Sequence, residues 1–398
     1  MKVFIVTSTP YPTGRSATSR VKCYARAIRE GGLDCEVDIF QRTELPEKVK
    51  NSKANGVDCG IPYRYIGGTS IRHRIKYLRP LLDIIDKCRM GWYLNQNMSK
   101  GDVLFLYMGG KVEWMLHFMR VAHKRGAFCV RDLCELPRGT GIETETAIRL
   151  RKNIIKRQFP LLDGIISISD TLLNLARTYT LPQCKHLKIP ILVDYNQYVL
   201  PDRSSEADVP FIFHAGTLSE QKDGILGMIE AFGMVVPKLD KPVRFILTGH
   251  VKDSRHESEI RNLIEQYHLE DMVKFTGFIS EDELKDYLSK SSLVIINKYP
   301  TRQNNYCFST KLGEYLAAAK PVIMTNVGEA MNWLKNGVSA YIIEPYDVDT
   351  LSDAIENILT NPEKARGIGL AGRGVCQRSF DYRNWSKPLV DFLNQLGK

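Results

Sequence analysis

Lys311 and Glu314 stand three residues apart in the stretch Asn304–Glu329, NNYCFSTKLGEYLAAAKPVIMTNVGE. On a helix that spacing puts an ammonium and a carboxylate on one face. Ser309 and Thr310, just before them, are residue types that cap a helix N-terminus, and Leu312, Tyr315, Leu316 and Ala319 supply an apolar side. The helix N-terminus and the Lys311 ammonium together suit a phosphate. An ionised Glu314 only accepts hydrogen bonds, so it suits the two hydroxyls of a ribose. The same spacing also fits a plain helix on a parallel sheet carrying one surface ion pair. Pro321–Thr325 follows as a β-type run that opens into Gly328 and Glu329.

The elements that must position this face alternate along the chain. MKVFIVTS reads as a strand, STPYPTGRSATSR as a loop, Val21–Glu30 as a helix stopped by Gly31 and Gly32, and Cys35–Phe40 as a returning strand. Further strands are expected at Asp102–Tyr107, Phe128–Arg131 and Gly164–Ser169. Leu200–Pro210, LPDRSSEADVP, is polar and aperiodic and reads as a linker. The alternation then restarts with strands at Phe211–Ala215, Arg244–Gly249, 273–278 and 293–297, and helices at Ile225–Val235, Glu257–Tyr267 and 281–290. Strands separated by helices predict an α/β protein of two doubly wound parallel sheets, whose ligands sit beyond the carboxyl ends of the strands, in a cleft that the two domains face. Residues 1–200 make the first domain and 201–379 the second.

The loops after the strands hold the remaining candidates. In the first domain they are Gly14, Arg15 and Arg20, then Gly109 and Gly110 in YMGGK, as acceptor contacts, and Asp132 and Glu135 in DLCELPRGTG as carboxylates at a strand end able to act as catalytic acid or base. In the second they are Gly216 and Thr217, and Gly249 beside Thr248, where backbone can approach a ligand closely.

Composition sets bounds on these readings. The chain has 398 residues, 43% hydrophobic and 25% charged, enough for two domains with cores of their own. No run approaches the roughly 18 apolar residues of a membrane span, and the β-branched N-terminus does not read as a signal peptide. The nine cysteines are scattered without a CxxC pair, which argues against a disulfide framework and a zinc site; a cytoplasmic protein is expected. Residues 1–200 hold 32 Lys and Arg against 18 Asp and Glu, while residues 201–398 hold 23 against 27. A basic half can meet nucleic acid, an anionic membrane or a phosphorylated substrate. Nucleic acid is disfavoured because no recognition module or aromatic platform accompanies the basic residues. Arg72–Arg89, RHRIKYLRPLLDIIDKCR, mixes basic residues with Ile75, Leu78, Leu81, Leu82 and Ile85 at helical spacing, interrupted by Pro80, and Arg149–Arg157 repeats the theme. Both suit the surface of an anionic membrane, at the inner face of which the protein would be peripheral, and both also suit solvated helix faces over a core.

In the order HAGTLSEQKDG, LTGH, VKFTGF, FSTKLGEYLAAAKPVI, TNVGE and YIIEPYDVDTLSDAI, residues 211–360 resemble the retaining GT-B fold glycosyltransferases of the large group-one family, which use nucleotide-sugar donors. The first half resembles them in outline only, through its N-terminal strand and loop and through IPILVDYNQY at 189–198. The resemblance implies that Glu314 binds the donor ribose and that Lys222 neutralises the diphosphate. It implies that Gly277 and Phe278, within TGFI, meet the base. It implies that the loop Asn304, Asn305, Tyr306, Cys307, Phe308, Ser309, Thr310 and Lys311 lines the donor, and that Phe380–Leu396 returns to the first domain. No metal or other cofactor is implied, the nucleotide sugar being a substrate.

Three positions depart from the family pattern. Tyr306 stands eight positions before Glu314, where a second glutamate is usual; Thr217 stands where an arginine is common, leaving Lys311 or Arg302 as replacements; and YMGG lacks the histidine many relatives have there. The function implied is transfer of a sugar from a nucleotide donor to a glycan or lipid-linked acceptor, with retention of configuration. Its alternatives are a nucleotide-sugar epimerase on the same fold and a nucleotide-sugar-binding protein without transferase activity.

Overall fold

The computed structural model describes residues 1–107, 111–137, 143–199, 209–216 and 218–397. The chain forms two compact units, Met1–Val193 with Tyr382–Lys398, and Asp194–Asp381. The first division lies before the linker read from the sequence, because Ile189 and Leu192 are buried in the core of the first unit.

The described strands of the first unit are β1 (Lys2–Thr7), β2 (Asp34–Ile39), β3 (Asn55–Asp58), β4 (Ile61–Tyr65), β5 (Val103–Tyr107), β6 (Phe128–Leu133), β7 (Gly164–Ser167) and β8 (Lys185–Lys188). They lie in the order β3-β4-β2-β1-β5-β6-β7-β8, all parallel except β3, which pairs antiparallel with β4. The second unit holds β9 (Phe211–His214), β10 (Arg244–Leu247), β11 (Val273–Phe275), β12 (Leu293–Ile296), β13 (Val322–Thr325) and β14 (Tyr341–Ile343), all parallel in the order β11-β10-β9-β12-β13-β14. Central strands such as β1, β9 and β12 are apolar runs because helices cover both their faces. Each buried Val, Ile or Phe there contributes about 1.5–3 kcal/mol.

In the second sheet the chain moves outward from β9 to β11 and then returns to the other side of β9. The winding therefore reverses between β9 and β12, and the loops leaving these two strands flank the place where open α/β sheets bind ligands. The first sheet reverses in the same way between β1 and β5.

Two helices begin where the sequence pattern did not place them. Ser16–Glu30 starts before Val21, its first turn being polar, with Ala17, Val21 and Ile28 packed inward. Pro80 does not interrupt a helix: a 3₁₀ turn at Lys76–Leu78 precedes the helix Arg79–Asn97, whose first turn holds Pro80, where its missing N–H costs nothing.

Candidate active site

At the end of β9 the chain runs through Ala215 and Gly216 to Ser219, whose hydroxyl accepts from the Lys222 N–H and caps the short helix Glu220–Asp223. Gly224 then turns left-handed at φ 58° and starts the helix Ile225–Val235. No other residue fits at this position, since a Cβ would lie 2.6 Å from the Asn297 amide nitrogen. That amide, just after β12, donates to the Gly224 carbonyl at 2.9 Å and ties the two switch-point loops together. The Tyr315 hydroxyl accepts from the Ala215 N–H at 2.8 Å, and the Thr248 hydroxyl, after β10, meets the Gly216 N–H at 2.8 Å. Gly249 and Gly277 pair by backbone, Gly249 N–H donating to the Gly277 carbonyl at 2.7 Å, both with positive φ. Phe278 beside them is exposed and packs edge-on to His250.

The helix Thr310–Ala317 carries the two residues with which the sequence reading began. The Lys311 ammonium forms a short ion pair with Asp223, which is buried. Burial alone would raise the Asp223 carboxyl, but the charge and hydrogen bond of Lys311 and the neighbouring cations hold it well below the usual carboxylate range. His214 lies behind Asp223, 3.9 Å from it, and donates from Nδ1 to the Ile295 carbonyl at 2.8 Å. Burial and the Lys311 charge lower its pKa to about 4, so it is neutral at ordinary pH and leaves Asp223 to Lys311.

Glu314, one turn after Lys311, is half-buried, and among the described residues its carboxyl accepts no hydrogen bond and forms no ion pair. Burial and then the negative charge of Glu281 raise its pKa to about 7, against the opposing pull of Lys311 and Lys285. Asp223 thus takes the Lys311 ammonium and leaves the Glu314 carboxyl open.

The other expected donor residues divide between framework and surface. Asn304 is buried, its amide donating to the carbonyls of Tyr299 at 2.9 Å and Gln221 at 3.3 Å. Phe308 is buried edge-on against Phe380. Both hold the loop in place, which differs from the direct donor contact expected of them. Residues Arg302–Tyr306 form a short helix capped by Thr301, where the sequence suggested only a polar loop. Lys222 and Asn305 are exposed, and Tyr306, Cys307, Ser309 and Thr310 are half-buried. Thr217 lies outside the described residues. Asp223, His214 and Asn297 were missed by sequence reasoning, which named Thr248 only for its backbone and Tyr315 only for its apolar side; the one local signal was an acid set between Lys222 and the turn glycine.

In the first unit, Gly14 and Arg15 are exposed at the start of the helix Ser16–Glu30. Arg20 and Asp132, expected to face an acceptor and to act as a catalytic acid or base, are instead buried against each other at 3.1 Å. The Arg20 guanidinium also donates to the Pro190 carbonyl at 2.6 Å, the Ile189 carbonyl at 3.2 Å and the Tyr24 hydroxyl at 2.6 Å. Tyr24 in turn donates to Asp132. With these partners the pair braces the helix Ser16–Glu30 against β6 and the segment at 189–190. Glu135 is exposed. Gly109 and Gly110 lie outside the described residues. The described residues that come closest to a metal-ligand grouping are His123, Cys129 and Asp163, also in the first unit; there Asp163 already accepts from the Cys129 N–H at 2.7 Å and meets His123 at 2.9 Å.

Comparison with known proteins agrees with this geometry. Residues 201–375 match the family model for Glycosyl transferases group 1. The chain is 23% identical over 236 residues to an N-acetyl-alpha-D-glucosaminyl L-malate synthase of Bacillus anthracis, covering 57% of this chain and 58% of that one. It is 27% identical over 139 residues to a GDP-mannose-dependent alpha-(1-6)-phosphatidylinositol monomannoside mannosyltransferase of Mycobacterium tuberculosis, covering 34% and 35%. Each match spans less than two thirds of the relative. Among solved structures it is similar to sucrose-phosphate synthase of Thermosynechococcus elongatus, with a TM-score of 0.73 at 17% identity over 99% of this chain and 98% of that one. It is also similar to HepE of Anabaena in complex with UDP and glucose, with a TM-score of 0.70 at 16% identity over the whole of both chains. The two Rossmann-like units are those of the GT-B fold, and residues 201–375, within the second, match the group 1 glycosyl transferases.

Proposed function

We propose that the chain is a glycosyltransferase that moves a sugar from a nucleotide-sugar donor, held by the second unit, to a glycan or lipid-linked acceptor, held by the first. The observation that carries this reading is the half-buried Glu314 carboxyl, left without a protein partner among the described residues while Asp223 takes Lys311. A carboxyl raised to about 7 by burial costs the ligand-free protein stability, and such groups cluster at functional sites. The hydroxyl pair of a donor ribose satisfies it by donating two hydrogen bonds to its ionised form. Among the relatives, one is named as GDP-mannose-dependent and another was crystallised with UDP-glucose, which supports the donor class.

In the transfer step the acceptor oxygen bonds to the anomeric carbon on the face from which the diphosphate oxygen departs, as the bond to that oxygen breaks, and the acceptor's proton passes to the departing diphosphate. Negative charge grows on the diphosphate while the sugar becomes oxocarbenium-like, so cations fixed beforehand lower the barrier. Lys311, held by Asp223, supplies one, and the exposed Lys222 a second that reaches the diphosphate from solvent. The N–H groups of the first turn of Thr310–Ala317, whose N-cap Ser309 gives no side-chain cap, add to them. In this reading the protein's own cations do the work, without a metal, the sugar moved is a hexose, and its anomeric configuration is retained.

The test is a panel of UDP, GDP, ADP and CMP sugars read by thermal shift and by slow donor hydrolysis. A shift with one donor, lost in Glu314→Ala, identifies base and sugar together. Absence of any response with folded protein, with and without candidate acceptors, would overturn the proposal.

A further inference from the structure

Large exposed apolar side chains gather on one segment of the first unit. Ile75, Tyr77, Leu78, Leu81, Ile84 and Trp92 are all exposed, Tyr77 to 86% and Trp92 to 66%. The helix Arg79–Asn97 buries Asp86, Lys87, Met90, Tyr93 and Leu94 on one side. On its other side Leu81, Ile84, Cys88 and Trp92 recur at spacings of three, four and four, and all are exposed. A helix on a soluble core ordinarily shows the opposite pattern, with its apolar stripe inward.

The fully exposed charges within this segment are of one sign. Arg74, Lys76 and Arg89 are exposed beside the stripe. Of the two acids between Arg72 and Trp92, Asp86 is buried and paired with Arg42 at 2.8 Å, and Asp83 is half-buried. No described helix is long and apolar enough to cross a membrane.

We propose that Arg72–Trp92 is a membrane-contact surface that seats the first unit on an anionic bilayer. Leu81, Ile84 and Trp92 enter the boundary between headgroups and acyl chains, Tyr77 lies at headgroup level, and Arg74, Lys76 and Arg89 meet lipid phosphates. A second copy of the chain is the poorer occupant: a two-fold interface sets the same patch against itself, and this patch would bring cation against cation.

Cosedimentation of the full chain with vesicles tests this. The protein should pellet with phosphatidylcholine vesicles containing phosphatidylglycerol, stay in solution with phosphatidylcholine alone, and be released by salt. Replacing Leu81, Ile84 and Trp92 together by Ser should weaken partitioning about tenfold or more. Arg74→Glu with Lys76→Glu should weaken it by a similar factor and flatten the salt dependence. Tryptophan emission should shift to the blue on vesicles in the wild type and not in Trp92→Phe, which still binds. Circular dichroism checks that each variant is folded, and no nucleotide is present, so the outcome is separate from the proposed transferase activity. Folded wild type that stays in solution with anionic vesicles would overturn the proposal. So would concentration-dependent dimers, seen without lipid and abolished by the triple Ser variant.

Discussion

Glu314 titrates near 7 because burial and the charge of Glu281 act on it together, so its ionisation varies across the physiological range. Only the ionised carboxylate accepts from two hydroxyls at once. Nucleotide affinity, measured by calorimetry, is therefore expected to rise between about pH 6 and 8 and then level off, while Glu314→Gln binds weakly at every pH. The effect on stability runs the other way. The folded pKa lies above the ordinary 4.5, so the stability linked to this group is present below that value and lost as pH climbs through 7. At pH 8 Glu314→Gln should accordingly raise the Tm of the ligand-free protein and abolish the shift caused by nucleotide; a variant unchanged in both respects would make Glu314 an ordinary acid. Lys311→Met should cost about 3–5 kcal/mol, because the buried Asp223 carboxylate loses its ion pair with the ammonium. Adding Asp223→Asn should restore most of that stability while transfer stays roughly 10²–10³-fold down; recovered transfer would reduce the pair to a structural brace. The sequence showed that Lys311 and Glu314 share a helix face, since that depends only on local spacing. It could not show that they part company, because Asp223 lies 88 residues before its partner.

At the scale of elements, the brace at Arg20 is the point where a loop candidate became part of the core. Its partner Asp132 is 112 residues away, and an arginine near a loop glycine carries no local sign that it will be buried. Arg20→Met should destabilise the first unit by about 3–5 kcal/mol, seen as a lowered denaturant midpoint, with the acceptor KM of the remaining folded protein unchanged. An unchanged midpoint with a raised KM would return Arg20 to the acceptor. The central strands could be read because burial on both faces makes them continuous apolar runs, as in VFIV of β1 and LVII of β12. The strands β3 and β8, NGVD and KHLK, lie at the edges of their sheet and carry no such run; β3 pairs with β4 through the two-residue turn Cys59–Gly60, and β8 pairs with β7 by tertiary contact. For the same reason the short helix Arg302–Tyr306 was hidden: it rests on the Thr301 cap and the ties of Asn304, not on an apolar stripe.

Each of the two units has a core of its own, and the residues from Tyr382 onward belong to that of the first. Leu389, Phe392, Leu393 and Leu396 are buried there, Tyr382 donates to Glu30 at 2.6 Å, and Ser386 donates to the Ala27 carbonyl at 2.8 Å. Ending the chain after Asp381 removes these four apolar side chains from the first core, each worth about 1.5–3 kcal/mol. The first unit should then fail to unfold cooperatively, while the second, whose residues are all retained, keeps its thermal response to nucleotide. Loss of that response would mean that the second unit does not stand on its own core. The alternation of strand and helix made both sheets readable, but the return of the last helix was implied only by family resemblance, since an amphipathic helix does not name the surface it will cover. That return also separates the order of synthesis from the order of folding. The strands of the first sheet leave the ribosome first, yet the helix Ser386–Asn394 that packs on Ser16–Glu30 is made after every residue of the second unit. The second unit can close while the first still shows its uncovered apolar face to water, so the earliest-made half is the one left open to aggregation during translation.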